Sequence, residues 1–337
     1  MHMADALLSP AVGGTMWAVS AGAIAYSSAK VRKGLDDRKA PLMGVLGAFL
    51  FAAQMINFSI PATGSSGHLG GGILLSILLG PHAAFLTISS VLMVQALFFA
   101  DGGLLALGCN IFNMGFIPAF LVYPLVYKWI AGPAPGRARL VAATMISAII
   151  GLQLGPLAVV LETVFSGISA LPFSAFALLM QPIHLAIGVV EGVATVAIVT
   201  FVHKARPEII HETFGARPTG KRPLRTVLVS FLAAALLVGG ILSGFASKNP
   251  DGLEWAIAGV TGTEMLKGPE QGLHAVMATL QKRTAFLPDY SFKNAENSTK
   301  GNAGVSLGTS VSGIVGGLIT LTIIFLSGFL LKRRNFH

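Results

Sequence analysis

The feature that most restricts this chain is a succession of long apolar runs joined by short charged connections. The runs are Ala11–Ala29, Pro41–Ile60, Gly67–Leu79, His82–Ala100, Leu104–Tyr127, Leu140–Leu161, Phe173–Val202, Leu224–Ala246 and Val305–Leu331. A helix needs about 20 apolar residues to cross a bilayer. Most of the runs meet that length; the third does so only with help from its Gly-rich approach. In hydrocarbon each backbone N–H and C=O must be satisfied within its own segment, so such runs fold as helices. Only 11% of the residues are charged, against about 25% in a soluble protein. The sequence predicts an all-α polytopic membrane protein.

The net charge of +9 invites a nucleic-acid reading, but its placement argues otherwise. Of the 23 Lys and Arg residues, 17 fall in Lys30–Ala40, Lys128–Arg139, the connection from Val202 to Arg225, and the tail after Leu331. Basic residues gathered in short loops mark the inner face of a membrane. The pattern holds if Gly80-Pro81 is an inner turn, giving nine passages with the N-terminus outside and the C-terminus inside. Merging the third and fourth runs would carry Lys128, Arg137 and Arg139 outside. Residues 1–205 are expected to form a seven-span helical bundle and 206–223 an inner, polar linker. Residues 224–337 are expected to form a two-span part flanking the outer segment 247–304.

Little enzymatic chemistry is visible. The single cysteine, Cys109, excludes an intrachain disulfide and a thiolate metal cluster. There is no Gly-x-x-x-x-Gly-Lys-Ser/Thr loop to hold phosphates and no His-Glu-x-x-His pair.

Met1-His2 is the exception. No basic region precedes the first run, so no signal peptide is expected and Met1 is expected to keep a free amine. The Met1 amine, the His2 amide nitrogen and the His2 Nδ1 then close an unstrained five-membered and six-membered chelate. The amide binds only after losing its proton, and a planar nitrogen set suits Ni(II) or Cu(II) rather than Mg or Ca. A plain surface histidine is the alternative reading. His68 lies in the Gly-rich stretch Thr63–Gly72, on the same outer side. It is a candidate fourth nitrogen that would complete a square plane, or alternatively a capping or interfacial histidine.

Polar side chains inside the apolar runs need partners in the bundle interior. Gln54 and Asn57, Gln95, and Asn110 and Asn113 read as inter-helix hydrogen-bond groups, some of them orienting imidazoles from behind. His184 and Glu191, seven residues apart, read as a structural polar pair or as part of a transport path. His82 and His274 have no visible partner. Ala21, Ala25 and Ala29 recur every fourth residue beside Ala18 and Gly22, a spacing that lets another helix backbone approach closely.

Taken together, several segments resemble the substrate-binding membrane component of nickel/cobalt energy-coupling-factor transporters. They are Met1-His2-Met3-Ala4-Asp5, Ser66-Gly67-His68, Gln95–Leu104 and Asn110–Gly115. Pro250-Asp251-Gly252-Leu253-Glu254 and Leu287-Pro288-Asp289-Tyr290 are similar to the small accessory component, fused here to the first. The resemblance implies a non-catalytic uptake component in the inner membrane of a prokaryote. It implies Ni(II) held by the Met1 amine, the His2 amide and imidazole, and His68, with Co(II), in cobalamin-linked uptake, as the rival metal and no organic cofactor. It also implies that the face with Ala21, Ala25 and Ala29 docks on a separate transmembrane coupling subunit driven by two cytoplasmic ATPases, and that the accessory part helps open the site. The family opening runs Met-His-x-Pro-Asp-Gly-Phe. Ala4 and Ala6 replace Pro and Gly here, which leaves the ligand set and relaxes the turn.

Two rival readings fit less well. A membrane metalloenzyme needs an open coordination position, which four in-plane nitrogens do not leave. A passive channel needs weak, multi-site binding along a polar path.

Overall fold

The computed structural model describes residues 2–33, 39–214, 225–292 and 307–333. After a 3₁₀ turn at Asp5–Leu7, helix α1 spans Pro10–Lys33 and α2 spans Lys39–Gln54. The strands β1 (Phe58–Ile60) and β2 (Ser65–Gly67) pair antiparallel, with Ser59 opposite Ser66. Helices α3 (Gly72–Leu79) and α4 (Pro81–Phe99) meet at Gly80, whose φ of 75° reverses the chain. Proline fits the first turn of α4 because no N–H is needed there.

Helix α5 (Leu107–Ile111) continues without a break through a π-helical stretch, Phe112–Tyr127, into α6 (Lys128–Ala131). Pro118 and Pro124 lie inside that stretch. Each lacks an N–H and crowds the preceding α-turn; the wider π-turn takes up both. Helices α7 (Arg137–Ser166) and α8 (Phe173–Ala205) pack along their lengths. A Cβ at Gly192 would fall 2.3 Å from the Met145 sulfur, so the thioether occupies the space that glycine leaves.

Six helical segments are long and apolar enough to cross a membrane: Pro81–Phe99, Leu107–Ala131, Arg137–Ser166, Phe173–Ala205, Arg225–Phe245 and Leu307–Leu330. They correspond to the last six expected runs. The first three runs differ from expectation. Helix α1 is long, but less apolar than those six. Helix α2 stops at Gln54, and the rest of the second run becomes β1. The helix of the third run begins only at Gly72, because Ser65–Gly71 serve as strand and loop. Its eight residues rise only about 12 Å at 1.5 Å per residue. The hairpin is the one strand pair in an otherwise helical chain, among the described residues.

The expected inner linker begins with a short helix, α9 (Pro207–Glu212), whose Ile209 and Ile210 are buried. Residues 215–224 lie outside the described residues. Helices α10 (Arg225–Gly240) and α13 (Leu307–Arg333) then pack on α2 and on each other. Small residues make these contacts: a Cβ at Gly313 would lie 2.2 Å from the Gly239 carbonyl oxygen, and one at Gly316 would lie 2.0 Å from the Phe51 ring. Close backbone approach of this kind is how helices associate in lipid, where no hydrophobic drive separates protein from tail. Between α10 and α13 the chain forms α11 (Gly252–Thr261), α12 (Leu273–Thr284) and a 3₁₀ turn at Pro288–Tyr290. These lie over the hairpin, the N-terminal segment and the turn after α4. Residues 293–306 lie outside the described residues.

Candidate metal centre

The N-terminal segment is inserted into the end of the bundle. Met3 is fully buried. Its N–H donates to Asn110 Oδ1 at 2.8 Å, and its carbonyl accepts from the Gly103 N–H at 2.9 Å and from Asn110 Nδ2 at 3.3 Å. Asp5 Oδ1 accepts from the Ala106 N–H at 3.0 Å. This docking requires glycine. Gly102 has φ of 78°, and a Cβ at Gly103 would sit 1.8 Å from Asp5 Oδ1. The 3₁₀ turn forms with Ala4 and Ala6 in place: Leu7 N–H donates to the Ala4 carbonyl at 3.2 Å.

His68 reaches the same place from β2. Behind it, the Gly70 carbonyl accepts from Gln54 Nε2 at 2.9 Å, and Gln54 Oε1 accepts from Gln95 Nε2 at 3.0 Å. The Glu191 carboxylate accepts the N–H groups of Gly70 and Gly71 at 2.7 and 3.0 Å. These bonds hold the loop that carries the imidazole. The His2 and His68 rings stack, with centroids 5.1 Å apart and planes 14° from parallel. His68 Nδ1 lies 3.1 Å from the Leu69 carbonyl, which only accepts, so Nδ1 carries the proton and Nε2 keeps its lone pair. Burial, with His2 alongside, pushes the His68 imidazole down to about 3, and its ring is neutral at neutral pH.

His2 Nδ1 is 3.1 Å from Asp101 Oδ1, and the Tyr290 hydroxyl donates to Asp101 Oδ2 at 2.5 Å. Burial by itself would raise the Asp101 carboxyl; the charge of His2 and the hydrogen bonds from His2 and Tyr290 outweigh it and hold the group below the usual carboxylate range. His2 Nε2 is buried without a hydrogen-bond partner among the described residues. Among the described residues, no three His, Cys, Asp or Glu side chains converge as a metal-binding group. Met1, the expected source of the amine, lies outside the described residues.

The accessory part covers this centre. The Ser66 N–H donates to the Pro250 carbonyl at 2.8 Å, and Ser66 Oγ donates to the Asn249 carbonyl at 2.8 Å. Asp251 caps α11 by accepting from the Leu253 and Glu254 N–H groups, while Glu254 accepts from the Asp251 N–H, a reciprocal capping box. Gln281 Nε2 donates to the carbonyls of Ala96 and Gly102, and His274 Nε2 donates to the Leu8 carbonyl at 2.8 Å.

The structure thus brings His2 and His68 together and sets Asn110 under the N-terminal segment. Asn113 Nδ2 donates to Glu162 at 2.7 Å and also reaches the Met3 sulfur at 3.8 Å. His184 and Glu191 do not bond each other: His184 Nδ1 donates to the Met180 carbonyl at 2.8 Å, and Glu191 holds the glycine loop. His82 lies near Ser27 and Lys30 at the other end of α1, away from this centre. Ala21, Ala25 and Ala29 are exposed along α1 and take no part in the centre. Asp101 and Tyr290 carried no signal beyond their place in the turn and in the accessory segment; the fold joins them across 189 positions.

Comparison with known proteins follows the same division. Residues 2–209 match the family described as CbiM, the cobalt uptake substrate-specific transmembrane region, and residues 225–333 match the PDGLE domain. The chain belongs to the CbiM family. A relative in Rhodobacter capsulatus, the fused nickel transport protein NikMN, is 28% identical over 96% of this chain and 99% of its own. The cobalt transport protein CbiM of Sorangium cellulosum is 30% identical over 62% of this chain and 94% of its own. The crystal structure of a transition metal transporter superposes with a TM-score of 0.56 at 32% identity, covering 65% of this chain and all of that one. The chain is therefore a multi-pass membrane component of nickel/cobalt transport, carrying a PDGLE domain on its CbiM region. The five residues Pro250–Glu254 spell that domain's name, and Pro250 and Asp251 among them lie on β2.

Proposed function

We propose that this chain is the metal-capturing component of an ATP-driven nickel uptake transporter. Ni(II) is held by the Met1 amine, the His2 amide nitrogen, the His2 imidazole and His68. The observation that carries the reading is the buried, stacked pair of His2 and His68, the latter neutral and with its Nε2 lone pair set by the Leu69 carbonyl. In the chelate, the His2 ring turns over about Cβ–Cγ. Nδ1 then faces the metal, and the Nε2–H side swings toward Asp101, which fixes the tautomer as an outer carboxylate does in other metal sites. Binding displaces protons from the amine and the amide, so it weakens in acid. Cobalt uptake is the second reading, supported by relatives that are named as cobalt transport proteins. Copper is expected to compete in vitro, since it precedes nickel in affinity.

Residues 1–205 form the metal-binding part and 224–337 the accessory part, joined by 206–223, with the N-terminus outside and the C-terminus inside the prokaryotic inner membrane. The metal-binding part docks through Ala21, Ala25 and Ala29 on a coupling subunit worked by two cytoplasmic ATPases. Support comes from their exposure and from the open space beside Gly14 and Gly22 on the same helix. The test is calorimetry with Ni(II) on the full chain carrying its own start, one extra residue before Met1, His2→Ala or His68→Ala. Each change is expected to abolish tight binding; undiminished binding by the extended chain overturns the assignment.

A further inference from the structure

We propose that helix α12 lies in the surface of the phospholipid bilayer, with Leu273, Val276 and Leu280 among the acyl chains and Arg283 at the phosphates. The helix has three sides. His274 and Gln281 form the first: His274 is buried and bonds the Leu8 carbonyl, and Gln281 bonds the carbonyls of Ala96 and Gly102. Leu273, Val276 and Leu280 form the second, and they are 38%, 60% and 46% exposed. At about 100° per residue, that stripe is centred roughly a third of a turn from the packed side. Thr279 and Lys282 lie on the third side, with Arg283 between it and the stripe. The apolar stripe therefore stands beside the packed face rather than opposite it.

The packed side fixes the level at which that stripe lies. Helix α4 is apolar enough to cross a membrane. Its 19 residues rise about 28 Å at 1.5 Å per residue, close to the ~30 Å hydrocarbon core. The last turn of α4 therefore ends at the hydrocarbon boundary, and α12 is tied to that turn. Besides the Gln281 bonds, the Phe286 and Leu287 N–H groups donate to the Phe98 carbonyl at 3.1 and 3.3 Å. The Phe286 ring rests 5.7 and 5.8 Å from the rings of Phe98 and Phe99, and Phe286 is itself 43% exposed at that level.

A helix with one apolar flank, one polar flank and basic residues suits the boundary between headgroups and acyl chains. Helix α12 carries Lys282 and Arg283 in its last turn and no acidic residue, so its charge complements lipid phosphate. Three side chains are too few for a stable protein interface, which buries about 1,200–2,000 Å²; a bilayer at this level needs no such area. Because α12 bonds the carbonyls of Leu8 and Gly102, a bilayer that holds its flank also holds the accessory part on the N-terminal segment.

The experiment is fluorescence of the full chain in phosphatidylcholine vesicles, with a bimane label on Val276→Cys or, for comparison, on Lys282→Cys. The one native thiol, Cys109, is fully buried, so the label goes to the introduced cysteine. Lipids with brominated acyl chains are expected to remove at least about half of the emission from Val276→Cys, since a helix of this kind enters the boundary by about 5–10 Å. They are expected to remove little from Lys282→Cys, and aqueous iodide is expected to do the reverse. Leu280→Cys is expected to follow Val276→Cys and serves if that variant fails to fold. Equal quenching of Val276→Cys and Lys282→Cys by brominated lipid overturns the proposal. So does quenching of Val276→Cys and Leu280→Cys by iodide alone. Labels at both sites shielded from both quenchers would show that protein covers the flank, a second copy or another segment of this chain, and would overturn it as well.

Discussion

Gly103 decides whether the N-terminal segment can lie where it does. A methyl group at that position meets Asp5 Oδ1 at 1.8 Å and the Asp5 nitrogen at 2.5 Å, so Gly103→Ala must displace the segment and His2 with it. The expected result in calorimetry is loss of tight Ni(II) binding while circular dichroism keeps the helical signal. Tyr290 acts at one remove. Tyr290→Phe deletes the donor to Asp101, and losing a hydrogen bond to a charged group costs about 1.5–3 kcal/mol. Nickel affinity is expected to fall roughly ten- to a hundredfold on that scale, with the stacking of the ring on Phe99 retained. Unchanged affinity would show that Asp101 orients His2 without help. Sequence alone made His2 and His68 legible, because their chemistry stands out in an apolar, Gly-rich setting. It left Asp101 and Tyr290 unread, because a carboxylate in a turn and a tyrosine in an outer segment acquire meaning only when the fold sets them 2.5 Å apart.

At the scale of elements, the third apolar run shows what hydropathy misses. Its composition reads as one short helix, yet Ser65–Gly67 pairs with Phe58–Ile60, and the helix starts at Gly72. The Ser-Ser-Gly strand β2 has no period-two apolar signal to announce it, and the alternation of Phe58-Ser59-Ile60 is only three residues long. What sets it in place is borrowed from elsewhere: the Pro250 carbonyl on one side and the Glu191 carboxylate on the other. The π-helical stretch was equally hidden, since Pro118 and Pro124 forecast a disturbed helix without saying which kind. Glu191→Gln tests the arrangement. It trades a charged acceptor for an amide with one acceptor oxygen facing two N–H groups, a loss of about 2 kcal/mol. The melting temperature of the detergent-solubilised chain is expected to drop, and tight nickel binding to weaken with it because His68 sits on that loop. An unaltered melting temperature would mean that Gln54 and the hairpin hold the loop unaided.

For the molecule as a whole, the loop charges placed Met1-His2, the Gly-rich loop and the accessory segment on one side, and the fold brings the described parts of all three to one end. The second face of interest lies along α1. Its buried side, with Gly13, Ser20 and Ser27, is packed into the bundle: Ser20 Oγ donates to the Gly108 carbonyl, and a Cβ at Gly13 would strike Leu105. The opposite side presents Ala21, Ala25 and Ala29, exposed and small, with Tyr26 and Val19 beside them. Because the metal centre draws on the other end of the chain's packing, bulk added to this stripe need not disturb it. Ala25→Leu is expected to leave nickel binding by the purified chain unchanged, since the new side chain meets no neighbour within this molecule. In cells carrying the coupling subunit and ATPases, uptake of radioactive nickel is expected to fall at least about tenfold, because a leucine there separates two helix backbones that small residues let approach. Uptake at the unmodified rate, with the protein present at equal level in the membrane, would move the docking surface off α1. Loss of binding together with uptake would instead tie this stripe to the fold of the metal-binding part itself.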